Sequence, residues 1–154
     1  MSEMNPHSTA RIAGHPLHPM IIPFPIAFFV SALVTDIIYL STSRPGFAEA
    51  SMWLLGAGIA TALLAAVFGF TDFLGDRQIR QLRHAWWHMA GNLTAVVLEI
   101  INIALRASGG APAAIAGWGV ALSVIVTLLL AFNGWMGWEL VYKHHVGISE
   151  VAEP

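Results

Sequence analysis

Four apolar stretches, residues 20–41, 52–74, 85–106 and 115–142, decide what this chain can fold into. Each is long enough to cross a hydrocarbon core of about 30 Å, which takes roughly 20 helical residues. Polar or Gly/Pro breaks at 41–46, 75–84 and 107–112 separate them, and connections this short make neighbouring helices antiparallel. With 56% hydrophobic and 10% charged residues, the chain has too little polar surface to cover a soluble core. The expectation is an all-α integral membrane four-helix bundle over residues 20–142. An N-terminal segment, 1–19, precedes it and a tail, 143–154, follows. Ala48-Glu49-Ala50 has the look of a signal-peptidase site, but the apolar run before it is too long for a signal peptide and lacks a basic start, so it reads as a retained span.

Charge sets the orientation, because short cytoplasmic loops carry the excess of Lys and Arg. Arg11, Arg77, Arg80, Arg83 and Lys143 fall on one side, and Arg44 and Arg106 on the other. Both termini are therefore expected in the cytoplasm, and a multi-pass protein of the bacterial plasma membrane fits. The spacing of Arg77, Arg80 and Arg83 suits topogenic charge, or a short surface helix on anionic lipid. A net charge of −2 suggests no nucleic-acid partner, and the apolar composition makes the lipid bilayer the partner. The absence of cysteine removes disulfides, Cys-zinc and iron–sulfur sites and covalent c-type haem.

Projected at 100° per residue, His84, His88, Asn92, Glu99 and Asn102 share one arc of span three, about 80° wide. Gly58, Ala62, Ala65, Gly69, Asp72 and Asp76 form a similar arc on span two, and Gly119, Ser123, Asn133 and Gly137 one on span four, with His144 joining if the helix continues. A charge at the bilayer centre costs about 2.5–3.5 kcal/mol, so these arcs face one another, with Asn92, Asn102 and Asn133 as interhelical hydrogen-bonding groups. Asp36 and Glu99 lie at a similar depth, roughly 20 Å from the cytoplasmic helix ends, which allows a structural or proton-sharing contact.

Six of seven histidines, His15, His18, His84, His88, His144 and His145, flank the cytoplasmic ends of the spans, and His7 lies in the same compartment. Each histidine of His15-Pro16-Leu17-His18-Pro19 precedes a proline, which predicts an extended, polyproline-like segment with both imidazoles on one side. Pro23 and Pro25 require that the regular helix of span one begin near them. His84 and His88, at i and i+4, could present two imidazoles to one ion, with Asp72 and Asp76 as further ligands or as groups orienting an imidazole. Interfacial anchoring beside Trp86 and Trp87 is the alternative.

Residues 14–28 (GHPLHPMIIPFPIAF), 69–72 (GFTD), His88 and residues 134–148 (GWMGWELVYKHHVGI) resemble the DUF2231 family of small four-helix membrane proteins. The resemblance covers essentially the whole membrane domain, with Trp138 and His145 standing where the family pattern has Gly. Some relatives are joined to Rieske-type or cytochrome c domains, so the resemblance implies membrane redox work.

Three functions follow. The first is a b-type haem-binding or electron-transfer subunit with His88 and one of His15, His18 or His144 as axial ligands, working with a redox-protein partner. The second is a divalent-metal or proton-coupled protein, in need of a homo-oligomer, that uses His84, His88, Asp72 and Asp76 with Asp36 and Glu99 deeper. The third is a scaffold subunit of a larger complex. No G-x-S-x-G, H-E-x-x-H or phosphate loop points to hydrolysis.

Overall fold

Proline and glycine set the helix boundaries. Helix α1 (Leu17–Ile21) is followed by α2 (Pro23–Thr42), where Pro23 and Pro25 fall among the first positions, whose N–H groups have no intrahelical acceptor. Ser43 closes α2 in the left-handed region (φ 54°), its N–H donating to the Tyr39 carbonyl at 2.7 Å. Pro45 opens α3 (Pro45–Gly75). The short α4 (Arg77–Gln81) is capped by Asp76, whose carboxylate accepts the Gln78 N–H. Helix α5 (Arg83–Gly109) stops at Gly110, which takes φ +83°. The last span joins α6 (Ala111–Ala114), a π-helical turn (Ile115–Gly119), α7 (Val120–Trp138) and a second π turn (Glu139–Lys143). These bounds come from a computed structural model that describes residues 5–148; residues 1–4 of the N-terminal segment and 149–154 of the tail lie outside the described residues.

Four helical segments, Leu17–Thr42, Pro45–Gly75, Arg83–Gly109 and Ala111–Lys143, are long and apolar enough to cross a membrane. They pack as an all-α bundle in ring order α2, α3, α5, α7, with α7 closing against α2. The core at its waist is apolar: Phe29, Ala32, Leu55, Ala62, Ala95, Val126 and Leu130. Gly58 lets α3 approach α2, since a Cβ there would lie 2.5 Å from the Phe29 ring. All six tryptophans are at least half exposed and occur only near the two ends of the bundle, as expected of rings at membrane interfaces.

Residues 5–6 and 147–148 meet at one end of the bundle. Gly147 N–H donates to the Pro6 carbonyl at 2.8 Å. The histidine-proline segment departs from the polyproline expectation. Arg11–Ile12 pairs antiparallel with His15–Pro16 across Ala13 and Gly14, and the chain turns into helix α1 at Leu17. Pro19 is tolerated in α1 because it is the third helical residue, where no intrahelical acceptor is lost. His15 and His18 therefore occupy different elements and do not share a side.

Candidate functional site

Asp72 and Asp76, at the end of α3, fasten the N-terminal segment. One Asp72 oxygen accepts the Ala10 N–H at 2.7 Å and the Ser8 hydroxyl at 2.9 Å. Asp76 accepts the His7 N–H at 2.7 Å. Both carboxylates are thus engaged by residues 7–10 and 78, and they do not join His84 and His88 in one ligand group. Their effect on the histidines is indirect: the fastened segment carries α1, and with it His18, onto the side of α3.

His18 meets a prepared surface. Its Nδ1 lies 2.8 Å from the Ala65 carbonyl. His88, on α5, makes the matching contact with α7, its Nδ1 3.0 Å from the Asn133 carbonyl. A carbonyl can only accept, so each Nδ1 carries the ring proton and each Nε2 keeps a free lone pair. On a helix the side chain at i+4 tilts back over the carbonyl at i. Here those positions are Gly69 and Gly137; a Cβ would lie 3.0 Å from His18 Nδ1 or 3.1 Å from His88 Cε1. The same device, a helix carbonyl uncovered by glycine four residues on, thus seats both imidazoles.

The two rings stand edge-on to one another, with centres 6.2 Å apart and planes 84° apart. They line one cavity of about 540 Å³, walled mainly by apolar side chains including Phe29, Phe70, Val96 and Leu130. Asn133 also lines it, and its buried Oδ1 has no hydrogen-bond partner.

The remaining histidines go elsewhere. His15 is exposed on the hairpin, its Nδ1 2.9 Å from the Ala13 carbonyl. His84 pairs with His144, Nδ1 to Nε2 at 3.2 Å, so the i, i+4 histidines of α5 face different partners. Burial above all holds the His144 imidazole below its ordinary pKa, and the positive charges of His84 and Lys143 push the same way. His7 and His145 are exposed.

At the opposite end of the bundle a polar network is fully enclosed. The Arg106 guanidinium grips Asp36 with two bonds, 2.8 and 2.7 Å, both side chains fully buried. Its other donors reach Ser51 Oγ at 2.6 Å, Ser123 Oγ at 3.2 Å and Asn102 Oδ1 at 3.0 Å. All five guanidinium N–H groups are thereby used. Asn102 Nδ2 donates to Glu99 Oε2 at 2.9 Å, while the other Glu99 oxygen is buried without a partner. Asp36 and Glu99 do share one network, as their depth suggests, but Arg106 and Asn102 stand between them. Arg106 is also no loop charge. Its Cα lies within a turn of the end of α5, and its side chain runs back toward the N-terminus into the bundle. The sequence carried the signal: Arg106 is four residues beyond Asn102 and seven beyond Glu99, on the arc those residues define.

No curated protein and no solved structure matches the chain. A family model described as a predicted membrane protein (DUF2231) does match, over residues 14–150, and the chain belongs to that family.

Proposed function

We propose that this protein binds a single b-type haem through His18 and His88 and serves as a membrane electron-transfer subunit. The observation that carries the reading is a pair of imidazoles lining one largely apolar cavity with ring centres 6.2 Å apart, each with its Nδ1 proton held by a helix carbonyl. Two iron–nitrogen bonds of about 2 Å, each followed by about 1.1 Å to the ring centre, would separate the centres by about 6 Å. The pair stands at 6.2 Å. The cavity volume of about 540 Å³ is ordinary for a bound cofactor. Hydrogen bonds from Nδ1 to carbonyls fix the tautomer and make Nε2 a better ligand. A haem held by His18 and His88 would supply single-electron transfer. His15 and His144 do not serve as the second ligand, the first being exposed and the second paired with His84.

The test is the visible spectrum of protein purified in detergent, alone and after addition of haemin. One low-spin haem per chain, with a Soret band and sharp α and β bands on reduction, is expected. A chain that takes up no stoichiometric haem refutes the proposal.

The histidine face is assigned to the cytoplasm. With Arg106 enclosed by Asp36, the balance of cations outside the bundle interior becomes Arg11, Arg77, Arg80, Arg83 and Lys143 against Arg44 alone, which sharpens the positive-inside bias. The chain has no native cysteine. Single cysteines at the exposed positions Gln78 and Gly46 should label with an impermeant reagent from the cytoplasmic and the outer face respectively; the reverse pattern would invert the assignment.

A further inference from the structure

We infer that His84, Glu139 and His144 form a second ligand site, a three-residue seat for a zinc-class divalent ion at the end of the bundle where residues 5–6 meet residues 147–148. The inference stands apart from the haem reading, since it uses none of the same side chains. The ligand atoms of the three residues lie within 4.8 Å of one another. His84 Nδ1 and His144 Nε2 are 3.2 Å apart. Two nitrogens bound tetrahedrally to one ion at about 2.0–2.1 Å lie about 3.3–3.4 Å apart, so the imidazoles are already at chelating distance.

The local backbone explains the grouping. In an α-helix, residues five apart point about 140° away from each other. The π turn Glu139–Lys143 is wider, closed by the His144 N–H donating to the Glu139 carbonyl at 3.1 Å, an i to i+5 bond. That turn brings Glu139 and His144 to one side, against His84 on the first turn of α5. The ion would sit at the carboxyl end of the last span, where the helix dipole favours a cation. Two imidazoles and one carboxylate select Zn²⁺ and its borderline neighbours over Mg²⁺ or Ca²⁺ and leave a fourth position for water. Lys143 Nζ, 2.8 Å from Glu139 Oε2, competes for that carboxylate, but the lysine side chain is 60% exposed and free to swing away. The filled site would clip the end of the last span to the start of α5.

The test uses the full chain, purified without a polyhistidine tag, titrated with Zn²⁺ against a chromogenic chelator and with Co²⁺ by visible absorption. One equivalent bound per chain, with the intense bands of tetrahedral Co²⁺, is expected. His84→Ala and His144→Ala should each weaken binding at least about tenfold, and Glu139→Gln, a near-isosteric change, should weaken it without disturbing the fold. Lys143→Ala should bind as tightly or more tightly. His88→Ala and His145→Ala should bind as the unaltered chain does. The inference is overturned if the unaltered chain binds no Zn²⁺ at micromolar concentration, if a His84→Ala/His144→Ala variant binds equally well, or if loss of His88 or His145 abolishes binding.

Discussion

Arg106→Ala is expected to destabilise the bundle by about 3–5 kcal/mol, the largest loss from any single truncation outside the cavity. The substitution strands Asp36, fully buried, with only Ser51 and Ser123 to hydrogen-bond it, and removes the hydrogen-bond partner of Asn102 Oδ1. Asp36 is fully buried, so the orphaned carboxylate's charge or acquired proton is carried at the expense of folding. Arg106→Lys keeps the charge and loses the planar fork, and should recover only part of the loss. Asp36→Ala should be comparably harmful. The double variant Asp36→Leu/Arg106→Met should cost much less than the sum, because the two charges leave together. Reversible unfolding in mixed micelles with increasing sodium dodecyl sulfate measures all four. An Arg106→Ala loss below about 1 kcal/mol would show that the buried pair is not an energetic keystone.

His88→Ala should abolish haem binding, whereas His18→Ala should leave a weakened, five-coordinate, high-spin haem. The asymmetry follows from where each residue is mounted. His88 stands on a transmembrane helix and is gripped by α7 through the Asn133 carbonyl. His18 stands on a five-residue helix, positioned by the contacts of residues 7–10 with Asp72 and Asp76. Gly137→Leu should resemble His88→Ala, since its side chain would occupy the seat of the His88 ring. Asp72→Asn should resemble a milder His18→Ala, through a loosened N-terminal segment. Each variant is read by haem stoichiometry and spin state, beside its elution profile in detergent. A His88→Ala protein with a full, unchanged low-spin spectrum would remove His88 from the site.

The sequence spoke clearly wherever one-dimensional periodicity carries the information. Span number, antiparallel order and the inward arcs of α3, α5 and α7 all follow from runs and 100° projections, and Pro23 marks the start of α2. It spoke poorly where a side chain's reach or a backbone irregularity decides. Arg106 closes span three in the sequence and so counts among the outer-face charges, although its side chain turns back into the bundle. Asp72 and Asp76 project toward the same end as His84 and His88, yet their carboxylates are taken by the N-terminal segment. Glu139 was not singled out at all, since its alignment with His144 exists only through the π turn, which regular helical spacing does not anticipate. His18 was assigned to an extended chain by the prolines around it, although a proline in the first turn of a helix is equally at home.

The apolar waist of Phe29, Ala32, Leu55, Ala62, Ala95, Val126 and Leu130 also has an electrical meaning. It separates the cavity of His18 and His88 from the network of Asp36, Glu99 and Arg106, with no titratable side chain among its buried residues. A layer of that kind is an insulator in series with the membrane, and most of the transmembrane voltage falls across such low-dielectric thickness. A charge that arrives in the cavity is therefore on the histidine side of that layer. On the haem proposal the bundle would act as a one-sided electrode seated in the membrane, and a circuit across the full bilayer would need a second component to complete it.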